Sequence, residues 1–145
     1  MIFKLVKDES CQEAEITLKC AVIDEHIRQL AENIKNLDFT IKCKDKNGYI
    51  NLNLNDIYYF ESVDDKTFVY LKDKIYECSY KLYEIEQYCA VTGLVRISRS
   101  TVVNIYKIRS VKSSFNGRFS AKLINDEVLI INRHYVSDFK KKFGI

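Results

Sequence analysis

The sequence contains no proline and only four glycines among its 145 residues. Flexible linkers are built mainly from glycine and serine, and stiff linkers from proline, so no interdomain linker is indicated. Long apolar runs are missing too: the runs 57–60 and 128–131 fall far short of the ~20 residues that a helix needs to cross a bilayer. The N-terminus lacks the layout of a signal peptide, and a cytoplasmic protein is therefore expected.

Histidine and cysteine are too scattered in this chain to suggest a metal site. Structural zinc sites need clustered ligands, commonly with paired cysteines that have two residues between them (Cys-x-x-Cys). No such pair occurs among the residues concerned, which are Cys11, Cys20, Cys43, Cys78, Cys89, His26 and His134. We predict no metal, no cofactor, and reduced, mostly buried thiols that pack as small hydrophobic groups.

The motifs that enzymes commonly use are also missing. The sequence shows no glycine-rich phosphate loop and no recognisable pairing of a Ser or Cys nucleophile with a histidine base. These absences argue against an enzyme, and no small-molecule substrate is expected.

Charge is present in abundance but is unevenly distributed. Residues 96–145 hold 11 Lys and Arg against 3 Asp and Glu, a net charge of +8, whereas residues 1–95 hold 12 against 17, a net charge of −5. The overall charge of +3 hides this basic C-terminal third. A basic region with little acid to neutralise it indicates a polyanionic partner, most simply nucleic acid.

Residues 1–38 are predicted to form a small strand–strand–helix segment. Alternating or β-branched apolar residues indicate strands at 2–7 and 14–22. Asp24 is placed to cap a helix to about Leu37 that carries apolar residues along one face. Because this face has no obvious large core of its own, we expect the segment to support self-association.

Residues 39–145 are predicted to form a second, mainly antiparallel β region, which makes the fold α+β. Asn-Gly pairs at 47–48 and 116–117 lie between apolar-alternating runs and indicate hairpins. Further strands are predicted at 56–62, 67–71, 75–78, 94–97 and 126–131. Ser79 is expected to cap a helix to about Ala90, and Asn132 a helix over 133–143 that Gly144 ends.

Three stretches of this second region resemble the LytTR DNA-binding domain of bacterial transcription regulators. They occur in the family's order and spacing. They are Asn55-Asp56-Ile57-Tyr58-Tyr59-Phe60-Glu61-Ser62, Leu94-Val95-Arg96-Ile97-Ser98-Arg99-Ser100-Thr101-Val102-Val103-Asn104 and Val128-Leu129-Ile130-Ile131-Asn132-Arg133-His134-Tyr135-Val136. Leu94 stands where the family usually has phenylalanine, and Asn132 where it usually has serine. Asparagine caps helices as well as serine does.

The resemblance implies an elongated antiparallel β fold whose loops enter successive major grooves of double-stranded DNA. It also implies repeated DNA sites bound by two protomers, hence a homodimer at least on DNA. Residues 1–38 are too few to form the phosphoacceptor receiver domain of many relatives, so the chain resembles the compact, stand-alone members of the family. Genes for such members often lie beside one for a small membrane protein, which by analogy is a candidate partner.

The resemblance places three basic side chains at positions that contact DNA. Arg99 lies in the central signature, where an arginine can bond the O6 and N7 atoms of guanine. Arg133 follows the last strand, and Lys66 lies in the loop 63–67. The alternatives are a solvated or carboxylate-paired Arg99, a salt bridge between Arg133 and Asp138, and a solvated hairpin tip at Lys66.

Neighbouring polar residues complete the predicted interface. Ser98 and Ser100 can donate to phosphate oxygens and set the register on DNA. Arg96 can face either a phosphate or a packed carboxylate, and His134 either a phosphate or solvent. Asn132 opens a helix whose first backbone amides can favour an anion.

Other polar residues are given less specific roles. Asn104 is interpreted as structural, satisfying backbone groups in a turn. Sequence-independent attraction to DNA is assigned to Lys107, Arg109, Lys112, Arg118 and Lys122. The alternative function is a module that binds RNA or single-stranded nucleic acid, which needs exposed aromatic rings beside a basic groove. Six of the ten tyrosines fall in strands or on a helix of the acidic part, where packing explains them better.

Overall fold

The computed structural model of the protein describes residues 1–36, 39–87, 89 and 92–145. Its helices are α1 (Glu25–Asn36), α2 (Leu82–Glu86) and α3 (Val136–Phe143). Its strands are β1 (Thr40–Asp45), β2 (Gly48–Asn53), β3 (Tyr59–Val63), β4 (Lys66–Tyr70), β5 (Ile75–Cys78), β6 (Leu94–Arg96), β7 (Thr101–Asn104), β8 (Ile108–Ser113), β9 (Phe119–Leu123) and β10 (Val128–Ile131). Short 3-10 turns are η1 (Leu54–Asp56), η2 (Ile105–Lys107), η3 (Phe115–Gly117) and η4 (Arg133–Tyr135).

The strands form two antiparallel sheets. The large sheet has seven strands in the order β2-β1-β5-β4-β3-β7-β6, and the small sheet has three in the order β10-β9-β8. The prediction of a mainly antiparallel β fold with a few helices is confirmed.

The large sheet is packed on both faces, because successive side chains of a strand point to opposite sides. In the two central strands, Phe60 and Val102 lie in one core, whereas Tyr59 and Val103 lie in the other. The first core includes buried residues of α2, and the second joins the large sheet to the small sheet and to the fully buried Phe139 of α3. This double packing holds β3 and β7 firmly, and with them the loops at their ends.

The predicted strands at 2–7 and 14–22 are wrong for the single chain. Within residues 1–36, which the structure describes, α1 is the only helix or strand, and Phe3, Leu5 and Val22 are exposed. A strand needs a neighbouring segment to complete its backbone hydrogen bonds, and a pattern of alternating side chains does not supply one.

The predicted start of α1 is confirmed. The Asp24 carboxylate accepts a hydrogen bond from the Ile27 amide at 2.9 Å. The predicted end at Leu37 and the boundary at Asp38 lie outside the described residues, so the division into 1–38 and 39–145 stays a prediction. The helix contacts the rest of the chain through the Asn33 carbonyl, which accepts from the Asn55 side-chain amide at 3.0 Å.

Both predicted Asn-Gly hairpins are confirmed, but their turns differ. Between β1 and β2 the turn is Lys46-Asn47, and Gly48 opens β2 with φ +140°. Between β8 and β9, Asn116 and Gly117 both have left-handed φ angles, of 58° and 73°. Glycine and asparagine are the residues that adopt such angles at least cost.

Helix α2 begins later than predicted, and Ser79 is not its cap. It begins at Leu82, after a turn in which the Glu84 carboxylate accepts from the Lys81 amide at 2.6 Å. Because the Lys81 amide bonds the Glu84 carboxylate, the helix is capped at Lys81, two residues after Ser79. The predicted end at Ala90 lies outside the described residues.

The C-terminal helix is also shorter than predicted. Residues Arg133–Tyr135 form the 3-10 turn η4, and Asn132 makes no side-chain capping bond, contrary to our expectation. The predicted end is confirmed, since Gly144 closes α3 with φ +90°.

The cysteines are free, but their burial divides them. Cys43 and Cys78 are buried register partners on β1 and β5, and Cys89 is half-buried, where burial raises the pKa of its thiol to about 11. Cys11 and Cys20 are exposed, because they lie in the N-terminal segment outside both cores. The expectation of mostly buried thiols is therefore wrong for these two.

Candidate nucleic-acid interface

Three loops that carry the predicted site residues are joined to one another by backbone hydrogen bonds. The Ser62 amide, beside the β3–β4 turn, donates to the Ser100 carbonyl at 2.8 Å. The Asn132 amide, at the start of η4, donates to the Ile97 carbonyl at 2.9 Å. The β3–β4 turn, residues 97–100 and η4 are thus adjacent to one another, and together we call them the loop edge.

Lys66 lies at the first end of the loop edge. It pairs with Val63 across a two-residue turn in which Asp64 and Asp65 have left-handed φ angles of 49° and 63°. The Lys66 side chain is exposed. Thr67, which follows Lys66 in this loop, is buried and cannot reach DNA.

Arg99 occupies the centre of the loop edge. Its side chain is exposed and makes no hydrogen bond or ion pair with the described part of the chain. The carboxylate pairing considered as an alternative is therefore not observed among the described residues, and the guanidinium is available to a ligand.

Ser98 and Ser100 shape the loop around Arg99. The Ser98 hydroxyl accepts from the Ser100 amide at 3.2 Å, and the two hydroxyl oxygens lie 3.4 Å apart. Both residues are half-buried. Their hydroxyls are therefore partly accessible, and a phosphate would have to approach this loop closely to bond them.

Arg96 is occupied within the protein. Its Nη1 lies 2.9 Å from the Glu86 carboxylate of α2, and its Nε donates to the Ser98 carbonyl at 2.7 Å. Its Nη2 donates to the Arg99 carbonyl. Of the two environments that the sequence allowed, the structure shows the packed carboxylate.

Arg133 lies at the other end of the loop edge, supported by the β8–β9 hairpin. A Cβ added to Gly117 would come within 2.9 Å of the Arg133 Cδ, so the aliphatic part of this side chain lies directly against the glycine. Arg133 has no ion pair with Asp138, and both it and His134 are exposed in the described structure. The role of Gly117 as a support was not foreseen, because the contact joins residues 16 positions apart in sequence.

The backbone amides at the start of η4 are only partly free. The Asn132 amide is used by the Ile97 carbonyl, and the Tyr135 amide donates to the Asn132 carbonyl at 2.9 Å. The Asn132 side chain is half-buried at this junction. The main role that the structure gives Asn132 is to fasten η4 to the central loop.

The remaining basic residues are less available than the net charge indicates. Arg109 is paired with Asp126 at 2.9 Å, and Lys122 lies 3.7 Å from the same carboxylate. Lys107 is half-buried with its ammonium group 5.2 Å from the centre of the Tyr58 ring, and burial lowers its pKa. Of the five residues to which general attraction was assigned, the two left exposed and without an intrachain ion pair in the described structure are Lys112 and Arg118.

Two further features of the described part of the chain concern metal-binding groups and helices that could cross a membrane. No three His, Cys, Asp or Glu side chains are grouped there so that they could hold a metal ion. No helix there is long and apolar enough to cross a membrane.

Comparison with known proteins identifies a family for most of the chain. Residues 47–144 match the family model of the LytTr DNA-binding domain. The chain is 28% identical over 90 residues to the sensory transduction protein LytT of Enterococcus faecalis, covering 62% of this chain but only 37% of that protein. It is 24% identical over 132 residues to a Staphylococcus aureus protein named as an HTH-type transcriptional regulator, covering 85% of this chain and 89% of the relative.

The fold is similar to that of a solved structure. A LytTr DNA-binding domain from Bacillus cereus superposes with a TM-score of 0.68 at 25% identity, covering 73% of this chain and 97% of the solved chain. The similarity thus covers nearly the whole of that separate domain.

Proposed function

Because the chain belongs to the LytTR DNA-binding domain family, we propose that it is a transcriptional regulator that binds double-stranded DNA at specific, repeated sites. In this proposal the loop edge enters the major groove, which is where each base pair shows a distinct pattern of donors and acceptors. The loops carry the reading side chains, and the two sheets behind them act as a rigid support.

The observation that carries the proposal is the joining of three exposed basic side chains by one hydrogen-bonded set of loops. Lys66, Arg99 and Arg133 come from distant parts of the sequence, yet their loops are fastened through Ser62–Ser100 and Ile97–Asn132 backbone bonds. We assign base contacts to Arg99 and Arg133. Lys66 is assigned a third groove contact, to a base, because the neighbouring Asp64 and Asp65 repel phosphate.

Phosphate contacts are assigned to the polar residues around these three. Ser98, Ser100 and His134 lie in the same loops, while Lys112 is exposed on β8 and Arg118 in the β8–β9 turn. Such contacts fix the position and register of a protein on DNA without reading sequence.

The single-strand or RNA alternative is less well supported by the aromatic residues. Such proteins stack bases on exposed rings. Tyr58 and Tyr59 are buried, and Tyr59 stacks on Tyr70 within the protein, with ring centroids 4.3 Å apart. These three rings are used in packing and are not offered to bases, whereas Tyr83 on α2, which packing was expected to explain, is exposed. Because the family is that of a DNA-binding domain, we favour duplex DNA.

Selection of bound sequences from a random duplex library tests the proposal. We expect a repeated motif, bound with a dissociation constant of about 1–10 nM at physiological salt, within the range typical of specific complexes. Affinity should fall steeply as salt rises, because phosphate contacts release counterions. Equal binding to the selected and random duplexes would contradict specific recognition, and tighter binding to single strands would favour the alternative.

Two protomers are proposed to bind each repeated site, with the N-terminal segment as their contact. Its exposed large apolar residues, Met1, Ile2, Phe3, Leu5, Val6, Ile16, Leu18, Val22 and Ile23, exceed what a monomer commonly leaves uncovered. Pairing with a second copy would also supply the backbone partners that the two β-patterned runs lack. The small membrane protein suggested by analogy stays a prediction.

Sedimentation of the whole chain tests this contact. We expect a dimer, on DNA and at micromolar concentration off DNA, that dissociates when Phe3 and Leu5 are both replaced by serine. Replacing the exposed Tyr49 and Ile75, outside the segment, is the matched control and should leave the dimer intact. A strictly monomeric protein, both free and on DNA, would refute the proposal.

A further inference from the structure

We infer that Glu86 is a positioning residue for DNA recognition, and that it acts through Arg96 to hold the central loop in its reading conformation. The inference rests on the proposed function, because it takes Arg99 to be the residue that the loop presents to DNA. It gives Arg96 the role of an internal brace in place of a DNA contact, and it assigns a role to an acidic residue that is remote from the signatures.

The guanidinium of Arg96 joins three points of the structure. Its Nε and Nη2 donate to the carbonyls of Ser98 and Arg99, on either side of the loop's centre. Its Nη1 pairs with Glu86 at 2.9 Å. All three nitrogens are therefore engaged, and the planar group fixes two consecutive carbonyls relative to one carboxylate.

Glu86 has a firm base from which to hold this group. It lies at the end of α2, whose Leu82 and Ile85 side chains are buried in the first core. Lys81, which immediately precedes the helix, reaches a second loop, because its ammonium donates to the Asp65 carbonyl in the β3–β4 turn. The two ends of the α2 segment, at Lys81 and Glu86, thus each contact one of the three loops.

Packing alone does not hold Arg96 in place. A solvent-open cavity of about 450 Å³ lies between α2, β6 and α3, and Glu86, Arg96 and Asp138 are among its lining residues. Because the described side chains leave this space open, they do not enclose the guanidinium on that side, and its position depends on its polar bonds. Removing the carboxylate would leave Arg96 free to turn into the cavity and release the carbonyls of the loop.

The Arg96 side chain is also poorly suited to bind phosphate itself. It is only 21% exposed, against 40% for the Glu86 side chain, and its charge is already matched by that carboxylate. Arg99, by contrast, is exposed, and no carboxylate among the described residues pairs with its guanidinium.

The test compares Glu86→Ala with Asp138→Ala in the full-length chain. Both substitutions remove one negative charge beside the same cavity, but Asp138 makes no ion pair with Arg96 among the described residues. Charge alone predicts that both variants bind DNA somewhat more tightly, because each has less repulsion with phosphate. If Glu86 positions the loop, Glu86→Ala should instead bind the selected duplex about fivefold more weakly. This loss is part of the discrimination that one bidentate base contact provides.

Two further readouts separate positioning from general destabilisation. Affinity for random duplex should not fall in Glu86→Ala, since the basic residues remain. In an Arg99→Ala background, Glu86→Ala should cause no further loss, because the side chain that it positions is gone. An independent fivefold loss in that background would overturn the inference.

Amide hydrogen exchange in the free protein tests the brace without DNA. Exchange of residues 97–101 should quicken in Glu86→Ala and stay unchanged in Asp138→Ala, while core amides of β3 remain protected. Unchanged exchange in the loop would overturn the inference even if DNA binding is specific. If the wild-type protein does not prefer the selected duplex, the proposed function fails, and the exchange result still decides whether Glu86 holds the loop.

Discussion

Arg99→Ala and Arg133→Ala are each expected to weaken binding to the selected duplex by ~1–3 kcal/mol, about 5- to 150-fold, while binding to random duplex changes little. The reason is that both side chains are exposed on the loop edge and are available to bond base edges. The measurement is a competition titration of each variant against selected and random duplexes at one salt concentration.

The pattern of base preference gives a second, sharper readout of these substitutions. Removal of a base-reading arginine should relax selection at one position of the motif, whereas removal of a phosphate contact should weaken all sequences alike. Because the Asn132–Ile97 bond ties the two loops together, the double variant should depart from simple additivity.

Arg109→Ala is the matched control for both arginines. It removes the same side chain from the same basic third, but this guanidinium is held by Asp126 at 2.9 Å and by the Ile124 carbonyl at 3.0 Å. We expect its effect on selected and random duplexes to be equal and small. Equal losses for Arg99→Ala and Arg109→Ala would show that Arg99 contributes only charge.

Asn104→Ala is expected to lower the free energy of unfolding by about 2–3 kcal/mol, because buried polar groups lose their partners. The side chain is 1% exposed. Its amide donates to the carbonyls of Ile57, at 3.0 Å, and Leu54, at 3.4 Å, and its oxygen accepts from the Tyr106 amide at 3.1 Å. One residue therefore ties β7 to the turn before β3 and to η2.

Urea unfolding followed by circular dichroism measures this effect. Asn51→Ala, an exposed asparagine on β2, is the matched control and should change stability by less than about 0.5 kcal/mol. At temperatures where it stays folded, Asn104→Ala should keep its preference for the selected duplex, since the side chain does not reach the surface. A loss below 1 kcal/mol would mean that water replaces the missing amide.

The local features of the fold could be predicted from short stretches of sequence. The hairpins at Asn47-Gly48 and Asn116-Gly117, the Asp24 cap and the Gly144 helix end depend on the backbone angles and side-chain bonds of a few adjacent residues. The structural role of Asn104 was likewise indicated by its place beside a turn, although its partners lie 47 and 50 residues away.

Features that depend on pairing between distant segments could not be predicted in the same way. No strand was predicted at β7, because we interpreted residues 98–104 only as part of a family signature. In the structure, β7 lies between β3 and β6 in the large sheet. The N-terminal runs show the reverse error: their alternation resembles that of strands, but the single chain offers them no neighbour. A strand is defined by the partner that completes its hydrogen bonds, and sequence pattern does not identify that partner.

The sequence by itself determined the family, the antiparallel β class and the set of basic residues that could contact DNA, because signatures and turn chemistry are written in consecutive positions. The tertiary structure decided which of those residues are available. It joined the loops of Lys66, Arg99 and Arg133 through two backbone bonds, and it placed Glu86 against Arg96. Charge can be counted along a chain, but whether a cation is free or already paired depends on contacts that only folding creates.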